Sequence, residues 1–416
     1  MARPAASTGR NIHKGWALFQ RRQWGVDDMA LMNTYGEPAV TLVRGEGVYL
    51  WDNHGRRYLD ALAGIAVCGL GHAHPGVAAA ICERAHTGLH LSNYFRIEQQ
   101  VELGTRLAKI AGMDKVFFSN SGAEANEAAI KLVRRAAHAR GIAAPQIITF
   151  KKSFHGRTMG ALSATGNTKI QQGFGPLLEG FVHVPFNDID AVAAAGSEHT
   201  AAVMLEPIQG EGGVNPAQES FLKDLRQLCD ARGWLLVFDE IQTGNGRTGK
   251  YFAYQHSGVM PDVVTTAKGL GNGVPIGACL ARGTAAEVLQ PGSHGSTFGG
   301  NPLACSAGLA VVGALADGAI LANVREQGDW LLGRFRELLE GETKVRDIRG
   351  RGLMLGIELD RPCGSLMAAA RERGLLINVT AGNVIRLLPP LIIERAHAEE
   401  IAAVVAELIK DFKGEG

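Results

Sequence analysis

The chain has 416 residues, 42 of them basic and 41 acidic, with 46% apolar and 20% charged. This composition supports a large buried core and excludes a disordered protein, and a net charge of +1 provides no field to gather nucleic acid or an anionic membrane. The start, MARPAASTGRNIHKGW, lacks an apolar leader core, no run of about 18 apolar residues occurs, and six scattered cysteines form no CxxC pair, so a soluble cytoplasmic protein with reduced thiols is expected.

Residues 1 to about 30 read as a polar tail running into a helix near Met29. The alternating stretch Val40–Asp60 fits two strands joined at Asp52-Asn53-His54-Gly55. His72 and His74 then form an HxH pair beside a helix from Val77 to Leu89. With no carboxylate or cysteine at ligand spacing, the pair reads as loop packing and no metal site is expected. Strand and helix signals alternate from there on. Strands are expected at Lys115–Phe118, Gln146–Phe150, Ala202–Glu206, Trp234–Asp239, Val263–Thr266 and Ile276–Ala281, with helices such as Glu124–Ala137 and Ser220–Arg232 between them. Short apolar runs without clean alternation suit strands buried on both faces. The fold class is therefore α/β, a mostly parallel central sheet with helices on both faces and a smaller α+β domain from both chain ends. After Asn301 a helical region runs to about Leu339, strands follow in Val345–Glu358 and Leu375–Leu388, and a helix closes from Ala396 to Phe412. The expected division is 1–75 and 321–416 for the small domain and 76–320 for the large one.

Ligands of such sheets sit at the carboxyl ends of the strands, and five polar stretches fall there. Ser119-Asn120-Ser121-Gly122-Ala123-Glu124 joins a strand to a helix, as a phosphate site or merely a capped helix start. Phe154-His155-Gly156-Arg157 puts an aromatic ring and a guanidinium beside the crevice, able to stack on a ring and bind a carboxylate. Glu206-Pro207-Ile208-Gln209-Gly210-Glu211-Gly212-Gly213 follows another strand. Asp239 and Glu240 end the most apolar strand. A carboxylate there either caps a turn or holds a pyridine nitrogen protonated. Lys268 follows the run Val263-Val264-Thr265-Thr266, where burial would lower its pKa and favour a nucleophilic amine; the alternative is a surface lysine at a strand end. His294 to Pro302 is a glycine-rich loop containing Ser296 and Thr297. Gly244-Asn245-Gly246-Arg247-Thr248-Gly249 matches GxGxxG, but Asp239-Glu240-Ile241-Gln242-Thr243 separates the apolar run from the first glycine and no good helix pattern follows, which argues against a nicotinamide-dependent dehydrogenase.

Taken together, NSGAEANEAAIK, FHGRT, EPIQGEGG, FDEIQTGNGRTG, AKGLGNGVPIGA and HGSTFGGNP resemble the class-III, fold-type-I pyridoxal-phosphate (PLP) aminotransferases, over Asn33 to Leu391. The resemblance implies that Lys268 is the Schiff-base lysine and that Ser121, Gly122 and Ala123 form the phosphate loop. It implies that Phe154 and Ile241 flank the ring, that Asp239, with Glu240 beside it, pairs with the ring nitrogen, and that Gln242 meets the ring hydroxyl. Thr297 would reach the phosphate of a neighbouring subunit, hence a homodimer with shared sites. The implied reaction carries a side-chain amine from an N-acetylated ornithine to 2-oxoglutarate, giving glutamate. Succinylornithine, ornithine, 4-aminobutyrate and succinyl-diaminopimelate remain open as donors. Arg157 would hold the carboxylate far from the cofactor, Arg386 the near one of glutamate, and Glu211 would pair with Arg386 when the other donor is bound. Tyr35 and Ser296 would contact substrate. Many members read TYxR where this chain has Tyr35, Gly36 and Glu37.

Overall fold

A computed structural model describes residues 31–414. The chain divides into two units, Met1–Leu42 and Val43–Gly416. The helix expected near Met29 lies outside the described residues. The central sheet of the second unit has seven strands: β1 (Lys115–Ser119), β2 (Gln146–Phe150), β3 (Phe181–Val184), β4 (Thr200–Leu205), β5 (Leu235–Asp239), β6 (Val263–Thr266) and β7 (Gly277–Ala281), in the order β1-β7-β6-β5-β4-β2-β3. Pairings across β6-β5-β4-β2-β3 are parallel, and β7 runs antiparallel to both neighbours.

The lack of alternation in these strands has a visible cause. Ile148, Val203, Leu205, Leu236, Phe238, Val264 and Leu280 enter one buried cluster. Their neighbours Ile147, Ala202, Met204, Val237, Val263, Cys279 and Ala281 enter a second on the opposite face. There the helix Gly122–Ala139 supplies Ala128, Ala129, Ile130, Leu132 and Val133. Since successive strand residues face opposite sides, both must be apolar when helices cover both faces. Strand β3 was not anticipated from sequence. It is an edge strand, FVHV, with three of its four residues only half-buried, so its pattern is weak.

Val40–Asp60 holds three strands, Leu42–Glu46, Tyr49–Asp52 and Arg57–Asp60, rather than two. The expected turn is present: the Asp52 carboxylate accepts from the N–H of His54 and of Arg56, both at 2.9 Å. Arg57–Asp60 pairs in parallel with Leu375–Leu376, which joins the early and late parts of the chain. A second late sheet has the order Val345–Arg351, Met354–Leu359, Val384–Leu387, Asn378–Thr380, and the helix Arg395–Asp411 closes the chain. The helical region after Asn301 is two helices, Pro302–Leu315 and Ala319–Leu338, bent by 69°. Gly318 between them has φ +79°, which suits glycine. Among the described residues no single helix is long and apolar enough to cross a membrane.

The GNGRTG stretch forms a buried turn without a following α-helix. Arg247 is fully buried there, and Nη1 donates to the carbonyls of Leu353, at 3.1 Å, and Pro389, at 2.5 Å. Of the HxH pair, His72 Nε2 meets Asp60 Oδ2 at 2.7 Å, and His74 Nδ1 accepts from Val77 N at the start of Pro75–Thr87.

Candidate active site

The carboxyl ends of five strands converge on one cavity of about 430 Å³, lined by Ser121, Gly122, Ala123, Phe154, Arg157, Glu206, Asp239, Ile241, Gln242 and Lys268. Ser121 to Ala123 follow β1. Ser121 caps the helix, its hydroxyl accepting from Glu124 N at 3.2 Å. Capping by Ser121 leaves room for an anion at this helix start, because first-turn N–H groups such as those of Gly122 and Ala123 have no partner within the helix and carry the positive end of its dipole. A β-carbon on Gly122 would lie 2.8 Å from Ile241 Cδ1, so only glycine lets the helix start and Ile241 close this end of the cavity.

Asp239 ends β5. Its Oδ2 accepts from Asn126 Nδ2 and meets His155 Nδ1, both at 2.8 Å, and its Oδ1 accepts from Ile241 N at 3.1 Å. Asn126 is itself fixed, its Oδ1 accepting from Thr265 Oγ1 at 2.7 Å. Burial opposes a charge on the fully enclosed His155, but the hydrogen bond and negative charge of Asp239 outweigh it and hold the imidazole above its usual range. His155, Asn126 and the Ile241 N–H thus fix the Asp239 carboxylate in place, an acceptor positioned for a protonated heterocyclic nitrogen set against it.

Lys268 follows β6 at φ +42°, a left-handed conformation costing a non-glycine residue on the order of 1–2 kcal/mol. Burial holds its ammonium below the usual lysine range. Glu211 opposes that shift and Arg386 adds to it. Glu206 is pushed up to about 7 by burial, against the charge of His155. Its carboxylate accepts from Phe154 N at 3.0 Å and Gly210 N at 3.2 Å, tying the Phe154 segment to the Glu206–Gly213 segment.

A second cluster adjoins the cavity through Gln242. The fully buried Arg386 donates from Nη1 to Glu211 Oε1 at 2.5 Å and to Gln242 Oε1 at 3.3 Å, and from Nη2 to Asn378 Oδ1 at 2.7 Å; Nε has no partner. Gln242 Nε2 donates to Glu211 Oε1 at 3.3 Å. Burial alone would raise the Glu211 pKa, but the charge and hydrogen bond of Arg386 bring it below the usual range. Arg157 is exposed at the cavity edge, its guanidinium 5.9 Å from the Phe154 ring centre.

Other expected residues lie elsewhere. Glu240, expected beside the ring nitrogen's partner, points away: its carboxylate accepts from Thr243 Oγ1 and from the N–H groups of Ala253 and Tyr254, so it braces the loop after β5 and does not line the cavity. Ser296 and Thr297 line a separate cavity of about 1130 Å³. Ser296 meets the lining of the first site at Asn120, whose Nδ2 donates to Ser296 Oγ at 3.2 Å. Tyr35 belongs to the N-terminal unit.

Sequence reasoning gave no role to Asn126, His155 or Asn378. For Asn126 the signal was a polar residue among Ala125, Ala128 and Ala129 on the buried side of a helix. Nothing local marks Asn378.

The lining suits a planar, phosphorylated pyridine. A helix start offers N–H groups for a phosphate, Phe154 and Ile241 offer apolar surface for a ring, and a fixed carboxylate and a lysine amine with lowered pKa line the same cavity.

The family profile described as Aminotransferase class-III matches residues 31–409. An acetylornithine aminotransferase of Nitrosomonas europaea is 53% identical over 384 residues, 92% of this chain and 98% of that protein. One of Aquifex aeolicus is 50% identical over 380 residues, 91% of this chain and 99% of that protein. Among solved structures, the ornithine aminotransferase of Toxoplasma gondii superposes with a TM-score of 0.90 at 32% identity, covering 97% of this chain and 99% of that one. The N-acetylornithine aminotransferase of Stenotrophomonas maltophilia gives 0.79 at 40% identity, covering 91% and 97%.

Proposed function

The chain belongs to the class-III aminotransferases, fold-type-I enzymes that depend on PLP, and from that premise we propose that it transfers the side-chain amine of N-acetylornithine to 2-oxoglutarate, yielding N-acetylglutamate semialdehyde and glutamate in arginine biosynthesis. The observation that carries the reading is the Glu211–Arg386 pair beside the Lys268 cavity. An enzyme that alternates between a donor without a carboxylate near the reacting amine and one with it needs a cation that can be covered and uncovered. The curated acetylornithine aminotransferases support the choice of donor.

PLP supplies a pyridinium that draws electron density from the reacting carbon. The residues of the chain do the rest. Lys268 would hold the cofactor through Nζ, and its amine, whose pKa burial lowers, would serve as the base that moves the proton at the carbon bearing the substrate amine. Asp239, held by His155 and Asn126, would favour a protonated ring nitrogen. Ser121, Gly122 and Ala123 would bind the phosphate, Phe154 and Ile241 would flank the ring, and Gln242 would meet the ring hydroxyl. Arg157 takes the carboxylate far from the reacting amine in both donors. Arg386 takes the near one, present only in glutamate, and is otherwise neutralised by Glu211. Two donors using one site in turn give ping-pong kinetics.

Tyr35 and Ser296 are assigned to substrate contact, and Thr297 to the phosphate of a neighbouring subunit in a homodimer with shared sites. The exposure of Thr297 on a glycine-rich loop supports this. The division into a small domain of 1–75 and 321–416 around a large domain of 76–320 is supported by the pairing of Arg57–Asp60 with Leu375–Leu376. A cytoplasmic location completes the reading. The test is an amine panel with 2-oxoglutarate as acceptor: N-acetylornithine should give the highest kcat/KM, and ornithine or 4-aminobutyrate exceeding it severalfold would overturn the substrate assignment.

A further inference from the structure

Glu211 lies on a turn whose geometry is set from outside the cavity. Val214 has φ +55° and Gly213 φ +115°, both left-handed values, so the turn needs an external hold. Arg349 supplies one. Its Nη2 donates to Gly213 O at 2.7 Å and its Nε to Val214 O at 3.0 Å, while its Nη1 meets Glu358 Oε2 at 2.6 Å and Asp347 Oδ2 at 2.9 Å. In the late sheet, Arg349 is directly opposite Gly356, Gly356 opposite Arg386, and Arg386 opposite Asn378. Residues opposite one another across a sheet point to the same face, so these four form one transverse row. The turn lies over that row. Arg349 takes its carbonyls at one end and Arg386 its carboxylate further along. Between them Gly356 leaves room for Val214, since a β-carbon on Gly356 would come within 2.9 Å of Val214 Cβ. Asn378 ends the row and holds Arg386 Nη2. Thr380, on the same strand as Asn378, donates from Oγ1 to Glu211 O at 2.6 Å.

We infer that Arg349 and Gly356 are positioning residues for donor choice: they set the register of the 211–214 turn on the sheet, and so decide how tightly Glu211 covers Arg386. The inference rests on the dual-donor reading above. If the turn lifts, Glu211 retreats, Arg386 stays uncovered, and donors with an α-carboxylate beside the reacting amine are favoured over side-chain amines. Neither residue lines the Lys268 cavity, so the effect appears in the ratio of two donors and not in their common chemistry.

The experiment measures single half-reactions of the PLP-loaded enzyme by cofactor absorbance, with N-acetylornithine and with glutamate separately, for wild type, Arg349→Gln, Gly356→Ala and Glu211→Ala. Each of the first two variants should lower the N-acetylornithine rate relative to glutamate by about tenfold, the scale of one weakened charge-assisted hydrogen bond. Arg349→Lys, which keeps a cation but not the fork that spans two carbonyls, should fall between wild type and Arg349→Gln. In the Glu211→Ala background, Arg349→Gln should change the ratio no further, because both act on the same contact. Gly356→Ala leaves Arg349 and its ion pairs in place and tests the same turn should Arg349→Gln fold poorly. Equal losses for both donors, or effects of Glu211→Ala and Arg349→Gln that add, would overturn the inference. Failure of the wild type to react with any side-chain amine would instead overturn the functional reading, and would be seen before any variant is made.

Discussion

Glu211→Ala isolates the contact on which the dual-donor reading depends. Arg386 is 1% exposed and Glu211 33%. The substitution leaves Nη1 with only the 3.3 Å contact to Gln242, on a guanidinium whose Nε is already unpartnered. Breaking a wholly buried pair costs about 3–5 kcal/mol. The partial exposure of Glu211 lets water screen the loss, which brings the figure toward the roughly 1.5–3 kcal/mol of a charge-assisted hydrogen bond. At about 1.4 kcal/mol per tenfold, N-acetylornithine should lose roughly tenfold to a hundredfold in kcat/KM relative to glutamate. Glutamate itself brings a carboxylate to Arg386 and should be spared. The assay is steady-state kcat/KM for the two amino donors, each with its matching keto acceptor. Unchanged relative rates would refute the pairing role, and a selective loss of glutamate would invert it.

Three further outcomes follow from the same contacts. His72 is raised to about 9, first by its hydrogen bond to Asp60 and then by Cys68, so its contribution is full below about pH 6.5 and fades as pH rises through 9; His72→Gln should cost on the order of 2–3 kcal/mol at pH 6 and much less near pH 10, measured by denaturant unfolding. Gly122→Val should push Ile241 away from the helix start and raise the dissociation constant for PLP, read by titrating the apoenzyme, while the far-ultraviolet circular dichroism stays as in wild type. Asp239→Asn removes the charge that raises His155, so the pKa of His155, followed by NMR, should fall; PLP should still bind but transamination should slow strongly, and full activity would contradict the role given to Asp239.

Much of this was legible in the sequence because strands buried on both faces are written plainly as apolar runs such as Trp234-Leu235-Leu236-Val237-Phe238. The polar residues that follow each run mark the strand ends, so Ser121, Phe154, Asp239 and Lys268 could be located before any coordinates. Edge strand β3 was not legible, because one exposed side permits the polar His183 in a four-residue strand. The place of Glu240 was not legible for a related reason. Neighbours at a strand end point to opposite sides, and sequence does not say which carboxylate faces the cavity and which braces the loop at Ala253 and Tyr254. The Arg349–Gly356–Arg386–Asn378 row was beyond reach, since it depends on the cross-strand register of four separate strands, and local pattern carries no register information.

The central claim is that Lys268 is the covalent anchor of a PLP enzyme. Borohydride reduction of the purified, PLP-loaded protein, followed by proteolysis and mass spectrometry, tests it most directly. A phosphopyridoxyl group on the peptide containing Lys268, with loss of the visible absorbance band and no such adduct in Lys268→Ala, is the predicted result. An adduct on another lysine, or none at all, would contradict it.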